Sequence, residues 1–182
     1  NLKSGLSYDS VKAFLATDTA TDTYTKINFL VAELKNKNLE KEKKILYLRL
    51  LIHIVGDIHQ ALHVGRLEDL GGNRIRVLWF RDSTNLHTLW DTHLINFQQL
   101  SYTEYATAIN FTNKDQRNRL QQQPLSEWLF ESYQIADKIY GDIKTPNQKL
   151  EYAYNFKYVD VLNNQLLKGG VRLAGLLNEI FR

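Results

Sequence analysis

Cysteine and methionine are both missing from the 182 residues of this chain. Without cysteine, the protein contains no disulfide bond and no metal site built from thiolates. A metal ion would therefore have to be held by histidine and carboxylate side chains. The lack of cysteine does not decide the redox compartment in which the protein works.

Long apolar runs are absent as well, since no stretch of the sequence approaches roughly 18 consecutive apolar residues. This excludes a transmembrane helix within the chain. The net charge is only +3 and the isoelectric point is about 9.0, which permits nucleic-acid binding without arguing strongly for it. The length predicts one domain, residues 1–182, with a sizeable core.

The first residue is Asn1, and no signal peptide precedes it in this sequence. Together with the lack of methionine, this start predicts a chain that has been processed or cut from a longer one.

Histidine is concentrated in one stretch, because all five histidines lie between residues 53 and 93. His53 and Asp57 are four residues apart, and so are His87 and Asp91. On an α-helix, residues at this spacing lie one turn apart on the same face. Each pair can therefore point an imidazole and a carboxylate at one place, and mixed histidine and aspartate ligation suits Zn²⁺.

A single pair of this kind is more often a surface hydrogen bond than a metal site. Two pairs, with His63 as a fifth candidate ligand, are harder to explain in that way. Leu51, Ile52 and Ile54 flank the first pair, which predicts a mostly buried helix where charged groups need a partner or a metal. We therefore expect a metal site formed by His53, Asp57, His63, His87 and Asp91.

The apolar pattern predicts a mainly α protein, a bundle of several helices with a short β element near residues 73–80. Helices are expected at 24–35, 39–63, 103–109 and 125–140, with a core stripe on the last one. Asn85 is the expected N-cap of another helix. Residues 150–181 are expected to form one or two helices with a break at Gly169-Gly170. The tyrosines are expected to pack in the core, and those concerned are Tyr133, Tyr140, Tyr152, Tyr154 and Tyr158.

The helix predicted over residues 39–63 is the longest of the set, and His63 does not fit its ligand face. His63 lies ten residues after His53, which is about 280° around an ideal helix. Either the helix ends near Gln60, or His63 serves a neighbouring metal ion. His59 is expected to be a hydrogen-bonding group beside the site rather than a ligand, and His93 is expected to be structural.

Three motifs in this order resemble the S1/P1 nuclease family: HIVGDIHQALH from His53, then GGN from Gly71, then NLHTLWD from Asn85. The resemblance extends as general organisation from about Leu6 to the C-terminus. Members of this family are largely helical zinc-dependent nucleases that cleave single strands with a cluster of three zinc ions. Ala61 stands where the family usually has proline, at a position that ligates nothing.

The resemblance also implies roles for individual residues. Asp57 would bridge two zinc ions and is the expected catalytic residue, with His53 on one of those ions. A third ion would be held by His63, His87 and Asp91. Asn73 of the GGN motif is expected near substrate, although a simple turn before the strand would explain GGN equally well.

Further expectations follow from the same resemblance. The substrate would be single-stranded DNA and RNA, the products would carry 5′-phosphates, and the protein would be secreted or periplasmic. In the family, an N-terminal segment supplies additional zinc ligands, and no histidine precedes His53 here. A separate N-terminal segment is therefore expected as the partner that completes the site.

Two other functions stay open at this point. The chain could be a non-catalytic fragment that binds at most one zinc ion through His63, His87 and Asp91. It could also be a lipid phosphodiesterase like the related bacterial phospholipases C, which share the chemistry and the fold.

Overall fold

The computed structural model describes residues 5–182 and is mainly helical, as predicted. Its helices are α1 (Tyr8–Thr17), α2 (Thr23–Leu34), α3 (Lys41–Asp57), α4 (Leu86–Thr88), α5 (Leu94–Phe97), α6 (Tyr102–Ile109), α7 (Lys114–Gln122), α8 (Leu125–Asp142) and α9 (Tyr152–Ile180). A 3-10 helix covers Ala61–Val64, and a π-helical turn over Leu89–His93 joins α4 to α5. Helix α7 was missed by the sequence analysis, because its residues carry almost no apolar pattern.

Short polar side chains begin several of these helices. Ser7 accepts a hydrogen bond from the backbone of Ser10 at the start of α1. Asp22, Ser101 and Asn113 form capping boxes at the starts of α2, α6 and α7. These caps satisfy backbone N–H groups that have no partner inside the helix.

Helix α3 ends at Asp57, six residues earlier than the prediction of a helix to residue 63. Its burial also differs from the prediction. Leu51 and Val55 are fully buried, but Ile52 is 44% exposed. The apolar pattern cannot tell which side of a helix other elements cover, and here one apolar side of α3 is open.

A three-stranded sheet has the order β2-β1-β3, formed by Arg76–Trp79 (β1), Asp82–Asn85 (β2) and Gln148–Leu150 (β3). Strand β1 pairs antiparallel with β2 and parallel with β3. The predicted strand is therefore confirmed, and Val77 and Trp79 face the core on alternate positions. Its partners were not predicted, because both are very short and β3 is distant in sequence.

Two hydrophobic clusters form the core, and α8 contributes to both. Ala136, Ile139 and Tyr140 belong to the cluster around the sheet and the π-helical turn. Trp128, Leu129 and Tyr133 belong to the cluster around α1, α2 and α3. The predicted core stripe of α8 is thus confirmed. The 3-10 helix lies where the clusters meet, since Leu62 packs in the first cluster and Val64 in the second.

Helix α9 runs unbroken for 29 residues, so the predicted break at Gly169-Gly170 is wrong. Gly169 packs against His59, since a Cβ atom there would lie 3.4 Å from the His59 ring, at the short end of ordinary van der Waals contact. The tyrosine prediction holds for four residues, but Tyr152 is 70% exposed. Across residues 5–182, no helix combines the length and apolar character needed to cross a membrane.

Candidate metal centre

Three of the five predicted metal ligands converge on one point. Asp91 lies between two histidines, with its Oδ1 3.4 Å from His63 Nε2 and its Oδ2 3.1 Å from His87 Nε2. One donor atom from each of the three residues lies within 4.8 Å of the others. The side chains are partly open to solvent, so an ion could reach them.

His63 reaches this point because α3 ends early. The chain turns after Asp57 and forms the 3-10 helix. Within this helix, Leu62 and Val64 on either side of His63 are buried. His63 is thus left pointing away from the core. The early end of the helix, one of the two explanations given for the position of His63, is therefore observed.

Gln60 connects the 3-10 helix to Asp91. Its side-chain carbonyl accepts a hydrogen bond from the backbone of Leu62 at 2.6 Å, and its amide donates to Asp91 Oδ1 at 2.7 Å. The sequence analysis did not single out Gln60. Its position between His59 and Ala61 in the quoted motif was the available signal.

His87 and Asp91 lie on either side of the junction between α4 and the π-helical turn. Asn85 caps α4 as predicted, accepting from the backbone of Thr88 at 2.7 Å. Leu86 and Trp90 are buried and fix the segment to the core. Such π-helical turns interrupt regular helices and often occur at functional sites.

The orientation of the His87 ring is set by Gly71. His87 Nδ1 donates to the Gly71 carbonyl at 2.7 Å, which leaves Nε2 as the nitrogen available to a metal. Gly71 has φ +63°, and a Cβ atom there would lie 2.3 Å from the carbonyl oxygen of Leu62. This position therefore requires glycine.

The types of the three donor residues and their close approach suit a zinc ion. Ligands bound at 2.0–2.1 Å around a tetrahedral ion lie about 3.3 Å from one another. Each histidine nitrogen lies close to this distance from one carboxylate oxygen, at 3.4 Å from Oδ1 for His63 and 3.1 Å from Oδ2 for His87, and one donor atom from each residue lies within 4.8 Å of the others. Two imidazoles and one carboxylate would supply three ligands to a zinc ion, and catalytic zinc sites keep a fourth position open.

The charge state of Asp91 also suits a cation. Burial by itself would raise the pKa of Asp91, but the hydrogen bonds from His63, His87 and Gln60 outweigh it and hold that pKa far below the ordinary value. The hydrogen bond to Asp91 raises the pKa of His87 against the effect of burial. Asp91 is therefore negatively charged at any physiological pH.

The other predicted ligands, His53 and Asp57, form a separate pair. His53 Nε2 lies 3.2 Å from Asp57 Oδ2, and the His53 side chain is 70% exposed. Asp57 lines the same cavity of about 340 Å³ as His63 and Asp91, whose remaining wall includes Ile52, Ile95 and Leu166. Within residues 5–182, no third histidine or carboxylate joins this pair closely enough to form a second group of three.

His59 lies in the core and not among the candidate ligands. Its Nδ1 donates to the Val55 carbonyl at 2.7 Å, and its Nε2 lies 3.0 Å from a guanidinium nitrogen of the fully buried Arg172. Arg172 also donates to Glu131 at 2.7 Å. Burial lowers the pKa of His59 to about 4, and the charge of Arg172 acts in the same direction. His59 is therefore a neutral acceptor that fixes the end of α3 to α9.

Sequence reasoning missed Arg172. The available signal was its position as the one charged residue between Gly169 and Leu177.

The two remaining residues of interest lie outside the convergent group. His93 bonds the Thr84 hydroxyl at 3.2 Å, in keeping with a structural role. Asn73 is exposed, and its side-chain amide donates to the Leu70 carbonyl at 2.9 Å. Asn73 lies in the loop that carries Gly71.

Comparison with known proteins identifies relatives of this chain by sequence. The S1/P1 nuclease family matches residues 8–182. Endonuclease 4 of Arabidopsis thaliana is 36% identical over 153 residues, which are 74% of this chain and 50% of the relative. Nuclease P1 of Penicillium citrinum is 28% identical over 166 residues, 80% of this chain and 61% of the relative. Nuclease S1 of Aspergillus oryzae is 51% identical over a shorter stretch of 47 residues, 26% of this chain and 16% of the relative. The chain thus spans about half the length of the plant relatives it matches.

Proposed function

Because the chain belongs to the S1/P1 nuclease family, we propose that it carries the metal-binding machinery of a zinc-dependent nuclease. The reaction is hydrolysis of phosphodiester bonds in single-stranded DNA and RNA, with 5′-phosphate products. The observation that supports this most strongly is the group His63, His87 and Asp91, whose donor atoms lie within 4.8 Å of one another and would leave a fourth position of a zinc ion open.

One zinc ion is assigned to His63, His87 and Asp91, and the pair His53 and Asp57 is assigned to the two other ions of a three-zinc cluster. Asp57 is the proposed bridging ligand, and it supports catalysis in that position. Bound zinc supplies Lewis-acid chemistry: it activates a water molecule for attack on phosphorus and neutralises negative charge on the phosphoryl oxygens. The further ligands of the cluster are proposed to come from an N-terminal segment outside residues 5–182.

The protein's own residues hold this site in shape. Gln60 fixes the carboxylate of Asp91, and the Gly71 carbonyl fixes the ring of His87. Such groups behind the ligands orient them and raise metal affinity. The exposed residue Asn73 is proposed to contact substrate, since it belongs to the loop that carries Gly71.

A single strand suits this arrangement better than a duplex. Its bases are unstacked, so one phosphate can approach the ligands while a neighbouring base lies on the protein surface. The partly apolar cavity beside Asp57 and Asp91 offers such a surface. A secreted or periplasmic location is proposed from the family alone.

The test is cleavage of single-stranded DNA by the zinc-loaded protein and by Asp91→Ala. The variant is expected to lose cleavage while its far-ultraviolet circular dichroism stays nearly unchanged, because Asp91 supports a metal and not the core. A matched His93→Ala variant is expected to keep cleavage. Full cleavage by Asp91→Ala would refute the assignment.

A second function is favoured by one observation. Within residues 5–182, His63, His87 and Asp91 are the only group of three metal-ligand side chains that converge. A domain that binds one zinc ion and does not cleave nucleic acid by itself would have this property. Wild-type protein with one zinc ion per chain and no cleavage supports this alternative, whereas about three zinc ions with cleavage supports the nuclease.

A further inference from the structure

A depression of about 460 Å³ on the protein surface is lined by four basic side chains and by no carboxylate. Arg66, Arg74 and Arg76 come from the loop before β1 and from β1 itself, and Lys144 follows α8. The chain as a whole has a net charge of only +3. A concentration of four cations in one depression is therefore a local feature that overall composition does not reveal.

Arg74 and Arg76 are held in place by neutral groups that leave their charge uncompensated, whereas the charge of Lys144 acts on the nearby carboxylate of Asp142. Arg74 donates to the backbone carbonyl of Glu68 at 2.9 Å, and Arg76 lies 3.3 Å from the Ser83 hydroxyl. In the part of the chain covered by the structure, the side-chain nitrogens of Arg74, Arg76 and Lys144 have no carboxylate oxygen within 4.0 Å. Only Arg66 has one, a loose contact of 3.9 Å with Asp137.

The geometry of Arg66 and the floor of the depression suit a nucleotide. The guanidinium of Arg66 lies over the ring of Tyr140, 4.3 Å from its centre, which fixes the long side chain. Ile75, Ile143 and Pro146 give the depression an apolar floor. A guanidinium group can bind two oxygens of one phosphate at the same time. Apolar side chains next to such groups can contact a sugar or a base.

Gly71 links the depression to the metal centre by two hydrogen bonds that its backbone makes. Gly71 N–H donates to the Arg66 carbonyl at 2.8 Å, and the Gly71 carbonyl accepts from His87 Nδ1 at 2.7 Å. The loop that orients a metal ligand on one side thus carries cations of the depression on the other.

We infer that this basic depression binds the sugar–phosphate backbone of single-stranded nucleic acid that extends beyond the phosphate at the metal centre. The inference rests on the proposed function, and it adds an extended substrate contact to that site. Cations that follow the backbone contribute affinity without reading sequence. The depression would therefore favour longer strands over mononucleotides and would not discriminate between bases.

The test measures binding of a labelled single-stranded DNA by fluorescence anisotropy, with a chelator present so that no cleavage occurs. Arg74→Gln/Arg76→Gln is expected to bind at least about tenfold more weakly at low salt. The slope of log affinity against log salt should fall in magnitude by about 1.4, since each phosphate contact on a single strand contributes about 0.7.

A matched variant controls for net charge. Lys37→Gln/Lys41→Gln removes the same two charges from exposed positions near the start of α3. Lys41 is 16 residues before Asp57, about 24 Å along the helix. This variant is expected to bind nearly as well as the wild type.

A second pair, Arg76→Gln/Lys144→Gln, keeps the bond between Arg74 and Glu68 and so preserves the loop. It is expected to weaken binding in the same way. The inference is overturned if both depression pairs bind like the wild type, or if the Lys37/Lys41 control loses as much affinity as they do. Because binding is measured without metal, a failure of the wild type to cleave would count against the proposed function and not against this result.

Discussion

The side-chain amide of Gln60 donates a hydrogen bond to Asp91 Oδ1 at 2.7 Å, and its carbonyl accepts from the backbone of Leu62 at 2.6 Å. One residue therefore ties the 3-10 helix that carries His63 to the carboxylate that both histidines approach. Gln60 touches no metal in this role, but it decides where Asp91 points.

Replacing Gln60 by alanine is expected to lower zinc affinity by about 10- to 100-fold, the usual loss when a group behind a ligand is removed. The fold should persist, since Gln60 is not part of either hydrophobic cluster. Competition with a chromophoric chelator measures the zinc affinity. Gln98→Ala is the matched control, because Gln98 bonds Asn155 and the Leu94 carbonyl instead. Equal zinc affinity in Gln60→Ala and the control would show that Gln60 does not position Asp91.

Replacing Gly71 by alanine is expected to destabilise the protein by about 2 kcal/mol or more, because φ of +63° strains any residue with a Cβ atom. The new methyl group would also meet the Leu62 carbonyl oxygen at 2.3 Å. Relief of this clash should move the backbone at residue 71 and displace the carbonyl that holds the His87 ring. Zinc affinity should therefore fall along with stability. Urea unfolding and zinc titration measure the two effects.

Gly170→Ala provides the comparison for Gly71. Gly170 lies in the middle of the exposed side of α9, and a Cβ atom there meets nothing within 4 Å. Its replacement should stabilise the helix by about 0.5–1 kcal/mol. A Gly71→Ala variant as stable as this control would contradict the strain argument.

The buried His59 should make the stability of the metal-free protein depend on pH. Its pKa is about 4 when folded, against an ordinary value of about 6.5 in the unfolded chain. Between these values the unfolded chain binds more protons, so the free energy of unfolding falls as the pH falls from about 6.5 to about 4. The loss is on the order of 3 kcal/mol, and urea unfolding in chelator measures it.

His59→Gln should remove this part of the pH dependence, because glutamine does not titrate. The control His93→Gln leaves His59 in place and should keep this pH dependence. A pH profile of His59→Gln that parallels the wild type across this range would show that His59 is not the residue responsible.

The sequence predicted the parts of the site that depend on local spacing. His53 and Asp57 on α3, and the Asn85 cap before His87, follow from residues within one or two turns of one another. The π-helical turn at Leu89–His93 did not follow, since local spacing does not distinguish it from an α-helix and its Trp90 bonds Tyr154, which is distant in sequence. The same holds for Gly169, which looked like a helix break but accommodates the ring of His59.

The open side of α3 and the basic depression were beyond sequence reasoning for a related reason. Which apolar residues stay exposed, as Ile52 does, depends on what other elements cover. Arg66 and Lys144 meet only because the loop before β1 packs beside the end of α8. Contacts between residues far apart in the chain leave no periodic pattern.

His63, His87 and Asp91 are proposed to hold one metal ion, and the zinc content of the purified protein is the most direct test of this site. Elemental analysis after gel filtration compares the wild type with His63→Ala, His87→Ala, Asp91→Ala and, as control, His93→Ala. We predict at least one zinc ion per chain in the wild type and the control, and the loss of one ion in each of the other three. A wild type without zinc would show that these residues do not form a metal site. An Asp91→Ala variant with the same zinc content as the wild type would show the same.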